Sequence, residues 1–512
     1  MKIESAVCKL SFRAVLLVST ACVGVCQAAV VTYPSPEGIQ PASDFQVTVN
    51  GRSAPVFDSP VAPHVHFSFS GRVKITVTLR EVSFGDDFSY RAWGETIRPV
   101  PYRAPIRDLQ IRPKSLGVRA IIKGNRIAFE IDRPVNLSLE INGNLRRPLL
   151  IFASPLEKDP PQPGDPGVRY FAPGKVYDVG RLRLAEGETV YIAGGAVVRG
   201  AILAEGISHA QVRGRGILDG SDRQKVPWSL VEIDNSRDIQ VEGIVILNDE
   251  GWTVVPRHSE DVRFLKIKMI AWNNNSDGID VVGSRRVRIT GVFLRNNDDC
   301  IAIKAMGEAA DTDVAGVEVT DTVFWNAGAG NAMEIGYELR TRSVRDILVR
   351  NCDVIHSEGA ALSVHNSDSA TVSNVRYDDI RVEDAPKRLI DVAIGLAIYS
   401  ADCPWKYHRQ NPQREAVPAS MRSPRGAWIR LADDNPQERS SKRGHVEKVY
   451  LRNIRVASGA PAVFQFLGYD ENHEVRDVTI EGLWIGDRQI LSPEQGRCLL
   501  EFARDVRFLP GK

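Results

Sequence analysis

The sequence predicts an all-β protein: a right-handed parallel β-helix (a solenoid) preceded by an N-terminal antiparallel β-sandwich. Three observations predict it. A phrase of β-branched residues set between Ser, Asn, Asp and Gly recurs along the C-terminal part. The N-terminal part instead alternates polar and apolar residues with a period of two. Between them Lys158 to Gly167 reads KDPPQPGDPG, whose four prolines and two glycines form neither a helix nor an inner strand.

The chain opens with Lys2, Lys9 and Arg13 ahead of an apolar run from Ala14 to Val25, then Gln27-Ala28-Ala29. A basic region, a short apolar run and small residues predict a secretory leader over 1–28, hence a secreted or periplasmic protein. No interior apolar run approaches the roughly 20 residues of a membrane span. Residues 30–157 form the predicted sandwich: RVKITVTLR starts at Arg72, VRAII and RIAFEI flank Gly124-Asn125, and NLSLEI ends at Asn142-Gly143. Such junctions between alternating runs predict hairpins. Residues 158–168 are the linker.

Residues 169–500 carry the repeat. It reads SHAQVRGRGIL from Ser208, SRDIQVEGIVI from Ser236, SEDVRFLKIKM from Ser259 and SRRVRITGVFL from Ser284, and returns as far as VRDVTIEGLWI from Val475. Short β-branched strands at this period, without long helical stretches, predict rungs of a parallel β-helix. An excursion over 401–443 interrupts the repeat; it is polar and proline-rich and holds Trp405, Tyr407 and His408.

Of 512 residues, 43% are hydrophobic and 25% charged, which fits a folded protein rather than a disordered one. A net charge of +1 gives no basic excess for nucleic acid. Three of seven cysteines fall in the leader; Cys300, Cys352, Cys403 and Cys498 remain. Their wide spacing matches no metal cluster; one disulfide is open to them, and Cys300 reads as a buried thiol in an aliphatic strand. No metal or other cofactor is expected.

The chemistry gathers in two consecutive rungs, NNNSDGIDVV from Asn273 and RNNDDCIAIK from Arg295. In each, carboxylates stand before an apolar alternation, Ile279 and Val281 or Ile301 and Ile303. Rungs stack about 4.8 Å apart, so Asp277, Asp298 and Asp299 converge. Mutual repulsion raises at least one pKa. One protonated and one ionised carboxyl are what glycosidic cleavage requires. Asn and Asp also build structural turns in solenoids, but a consecutive pair one rung from a third acid points to chemistry.

At these residues a resemblance becomes specific. NSDGID, NNDDCIAIK and the earlier GRGILDG (Gly214 to Gly220) resemble the polygalacturonase family, family 28 of the glycoside hydrolases. A sandwich ahead of a β-helix is similar to the layout of the family 49 dextranases and isopullulanases. The resemblance implies an inverting hydrolase of a polysaccharide or oligosaccharide, with Asp298 as general acid and Asp277 and Asp299 activating water. Inverting pairs stand about 6.5–9.5 Å apart, a separation that one rung plus a lateral offset is expected to reach.

The sequence departs from the family at two places. Asn331, in GAGNAMEIG, stands where the family has a Gly-His-Gly histidine, and ALSVHNSD from Ala361 replaces its Arg-Ile-Lys. The missing cations point to a neutral or unusual glycan rather than polygalacturonan. Glu334, Tyr337 and Asn331 are candidate sugar contacts, as is Asn275 beside Asp277. Asp280 and Lys304 are expected to face outward, either touching substrate or forming a surface salt bridge. Trp252 either stacks on a sugar or packs inward, and His365 is a groove or supporting residue. Two further readings stay open: a β-helical lyase, which would use a Lys or Arg base and calcium on the aspartates, and a non-catalytic glycan-binding β-helix.

Overall fold

The computed structural model describes residues 28–85, 89–92, 95–221, 228–307, 313–403, 440–457 and 463–511. The leader reading, and Trp405, Tyr407 and His408 of the excursion, fall outside the described residues.

Two sheets face each other ahead of the linker. One has five strands and includes Phe45–Val49, Val73–Leu79 and Arg126–Ile131; the other has six and includes His64–Phe69, Val135–Ile141 and Leu149–Pro155. Alternation drives the packing: along Val73–Leu79 every second residue is buried. Val47, Ile75 and Val77 from one sheet meet Phe67, Leu137 and Ile151 from the other. The Gly124-Asn125 hairpin forms as expected, Lys123 opposite Arg126. Two expectations need correction. Leu149–Pro155 runs parallel to His64–Phe69, so the larger sheet is mixed, not purely antiparallel. Asn142-Gly143 turns the chain, but pairing resumes only at Leu139 with Leu149, so that loop exceeds two residues.

From Val168 onward one 29-stranded sheet winds as a parallel β-helix. It continues to Leu509, past the expected end at 500. Inward columns carry it: Val254, Ile279, Ile301, Met333, Leu362, Ile390 and Phe464 stand in successive register. The serines that open each repeat form a ladder, the Ser236 amide donating to Ser259 Oγ and the Ser259 amide to Ser284 Oγ, both at 3.0 Å. Corner Asn and Asp residues such as Asp238, Asp261 and Asn374 adopt left-handed backbone, which their short polar side chains tolerate. Cys300, Cys352, Cys403 and Cys498 are free thiols. Among the described residues no helix is long and apolar enough to cross a membrane.

The sandwich is seated against the flank of the coil. Phe57, Leu150 and Phe152 share an apolar cluster with Ile270, Phe293 and Trp325 of the β-helix, and Phe152 meets Phe293 edge-on at 5.3 Å. Polar contacts rim it. His356 joins Glu140 of the sandwich and Asp384 of the coil, each at 2.8 Å, and Lys268 donates to Ser154 Oγ at 2.9 Å.

Candidate active site

Ile279–Val282 lies directly on Ile301–Ala305, with Ile279 over Ile301 and Val281 over Ile303. All four side chains enter the core. That register fixes the turns that feed the strands: the Gly278 amide donates to the Asp299 carbonyl at 2.8 Å. Asp277, Asp298 and Asp299 are therefore brought together, one oxygen of each lying within 4.8 Å of the others. This is closer than the roughly 6.5–9.5 Å spacing expected from the sequence for an inverting pair.

Among the described residues one cation, Lys304, serves this cluster. Lys304 Nζ stands 3.1 Å from Asp277 Oδ2 and 3.1 Å from Asp280 Oδ1, and 4.1 Å from the centre of the Trp252 ring. Asp280 is 0% and Lys304 6% exposed. The outward-facing surface pair expected from strand alternation is thus a buried triad. Trp252 is half-buried and serves as its lid.

The charge balance leaves protons on the carboxyls. Burial pushes the Asp277 carboxyl up, partly offset by Lys304. Burial and the charge of Asp277 push Asp280 and Asp298 well above the usual carboxylate range. Burial followed by Asp277, Glu334 and Asp298 does the same to Asp299. Against burial, Asp280 and Asp277 hold Lys304 firmly protonated. With Lys304 the one ammonium described beside four carboxylates, the protonated form is favoured among them. Three oxygens this close would also suit a divalent cation, but Lys304 already supplies the counter-charge and no metal is assigned. The Lys304 amine, committed to two ion pairs, is a poor candidate for the base of a lyase.

The following rungs wall the cluster. Gly330 packs onto the acids in left-handed backbone; a Cβ there would lie 2.3 Å from Asp298 Oδ1 and 2.4 Å from the Asp299 amide nitrogen, so only glycine fits. Asn331 donates its backbone N–H to Asp299 Oδ1 at 2.6 Å and its amide to Glu334 Oε2 at 2.7 Å. Glu334 and His365 are each 0% exposed, His365 Nδ1 donating to Glu334 Oε2 at 2.9 Å. Both side chains are thus sealed from solvent rather than presented to it. Tyr337 is half-buried and stacks on His365 with ring centres 4.6 Å apart. Asn275 is half-buried in left-handed backbone on the turn before Asp277.

Four residues beside the site were not anticipated. Asn326 Nδ2 donates to the Asp298 carbonyl at 2.8 Å, holding the acid pair from behind. Asp391, Arg388 and Gln465 continue the polar column past His365. Asp391 stands in register with Ser363, Gln465 with Asp391, and Asn326 with Asn296, each one rung on.

Residues 186–400 match the family described as Glycosyl hydrolases family 28. The probable endo-xylogalacturonan hydrolase A of Aspergillus fumigatus is 26% identical over 218 residues, 38% of this chain and 52% of that one. A probable polygalacturonase of Vitis vinifera is 32% identical over 176 residues, 34% of this chain and 30% of that one. The chain thus spans about half the length, or less, of the curated relatives it matches. In structure it is similar to Dex49A from Penicillium minioluteum, with a TM-score of 0.54 at 13% identity over 92% of this chain and 94% of that one. That likeness concerns the fold alone.

Proposed function

Because residues 186–400 match the model of glycosyl hydrolase family 28, we propose that this protein is a secreted glycoside hydrolase cleaving a polysaccharide or oligosaccharide with inversion. The observation that carries the reading is the convergence of Asp277, Asp298 and Asp299 within 4.8 Å beside one ammonium. Asp298, half-buried and pushed well up, is the proton donor to the glycosidic oxygen. Asp277, with Lys304 at 3.1 Å, is the carboxylate best able to stay ionised. With Asp299 it holds and deprotonates the attacking water. The proton given by Asp298 is restored from that taken by the base. Trp252, Tyr337 and Asn275 are half-buried groups suited to sugar contact, whereas Asn331, Glu334, His365, Asp280 and Lys304 act by holding the acids.

The experiment is reducing-end release from polygalacturonate, xylogalacturonan, dextran and pullulan, wild type beside Asp298→Asn. New reducing ends without an unsaturated ultraviolet chromophore support hydrolysis; the chromophore would mean a lyase, and no product a binding protein. Among the described residues the cation at the acids is Lys304, already held by Asp277 and Asp280, so polygalacturonate is expected to be a poor substrate.

A retaining double displacement is the second reading, favoured by one observation. Oxygens within 4.8 Å lie nearer the roughly 5–5.5 Å of retaining pairs than the wider inverting spacing. Proton NMR of the first-formed anomer decides between them.

A further inference from the structure

Beneath the acids runs a column of buried polar groups. From Asp299 it passes through Asn331 to Glu334 Oε2, at 2.7 Å from the Asn331 amide. It continues through His365, whose Nδ1 lies 2.9 Å from Glu334 and whose Nε2 lies 3.3 Å from Asp391 Oδ2. Arg388 Nη1 at 2.9 Å and Gln465 Nε2 at 2.6 Å close it on Asp391. Glu334, His365 and Asp391 are each 0% exposed. Resting on the glycosidase reading above, we propose that His365 is a positioning residue: clamped between Glu334 and Asp391, it fixes Glu334 and, through Asn331, the orientation of Asp299.

Three features support this. Glu334 Oε1 makes no hydrogen bond among the described residues, so its orientation comes entirely through Oε2, where Ser363, Asn331 and His365 converge. An ionic column buried this deeply gains little over well-packed apolar residues for stability alone. Finally, one of its ends is a carboxyl of the acid cluster. The groups facing His365 are Glu334, Asp391, the Tyr337 ring stacked on it, and Arg388 behind Asp391. Burial alone would discharge the imidazole, but the two carboxylates outweigh it and raise its pKa to about 9. The ring is thus a standing cation that balances Glu334, whose charge otherwise bears on Asp299.

The test compares wild type, His365→Gln and His365→Lys on the four polysaccharides named above, with kcat and KM followed against pH. His365→Gln keeps a donor but removes the charge. It is expected to lower kcat about 10-fold or more with KM within about threefold, and to move the acid limb upward by about half a pH unit as Glu334 faces Asp299 uncompensated. His365→Lys is expected to bring the limb back. An unmoved limb in His365→Gln, or a Lys variant no better than Gln, would overturn the proposal. If neither variant folds, 15N NMR of the ring decides: wild type is expected to be protonated on both nitrogens at pH 7.5, and a neutral ring would overturn it. Full activity in Asp299→Asn would instead sink the glycosidase reading itself, whatever His365 does.

Discussion

Replacing Lys304 by Met keeps most of the length of the side chain and deletes its charge. The ammonium bridges Asp277 and Asp280 at 3.1 Å each, and Asp280 is 0% exposed. Removing one partner of a buried ion pair typically costs about 3–5 kcal/mol, because the remaining charge is left uncompensated. Here two carboxyls lose one shared cation, and the Trp252 ring loses the charge beneath it. Protonation offers an escape. Both folded-state carboxyl pKa values are already raised by burial, and losing Lys304 raises them further. A raised carboxyl pKa contributes stability that is full below its unfolded value of about 4 and is lost as pH rises through the folded value. The variant is therefore expected to fall short of wild type by about 3–5 kcal/mol at pH 7.5, and by clearly less at pH 4.5. Urea unfolding at both pH values, followed by tryptophan fluorescence, measures the gap. A gap below about 1 kcal/mol at pH 7.5, or one that does not shrink with acid, would refute the reasoning, since a surface-like pair gives the former.

Other expectations are simpler to check. Asp298→Asn preserves shape but removes the acid, so activity is expected to fall about 10²-fold or more, while Tm holds or rises as repulsion is relieved; calorimetry and initial rates report both. Gly330→Ala places a methyl 2.3 Å from Asp298 Oδ1 in left-handed backbone; kcat is expected to drop sharply, and a wild-type rate would show that the loop yields freely. At the domain seam Asp384 and Glu140 outweigh burial and raise the His356 pKa. Its contribution to stability is then full below the unfolded value of about 6.5 and lost as pH climbs through the raised folded value. The loss of stability between neutral and alkaline pH is accordingly expected to be smaller in His356→Gln than in wild type, as a pH series of Tm values would record.

The repeat was legible because inward positions such as Ile279, Ile301 and Met333 must be apolar on every rung, whatever the corners contain. The acid trio was legible for the same reason: Ile279 and Ile301 set the register, and the acids precede them at matching offsets. Lys304 was misplaced because alternation tells only which side of a strand a residue occupies. That the Trp252 turn covers that side depends on a contact between rungs. The far end of the column was harder still. Gln465 reaches Asp391 across 74 residues, an interval stretched by the excursion, and no local pattern sets that alignment. The parallel pairing of Leu149–Pro155 with His64–Phe69 likewise depends on chain routing rather than on alternation.

The apolar seam bears on how the molecule can be taken apart. Phe293 opens the Phe293–Asn296 strand, which runs straight into Asn297 and Asp298, and Phe152 of the sandwich is braced against it. Cutting at the linker would leave Phe293, Trp325 and Ile270 as a bare greasy stripe on the solenoid wall, a surface that invites self-association. It would also remove the buttress behind the strand that leads into Asp298. A lone β-helix fragment with weak turnover would then report a loosened wall, and says nothing about whether the sandwich grips polysaccharide. The N-terminal unit is less a passenger module than a keystone.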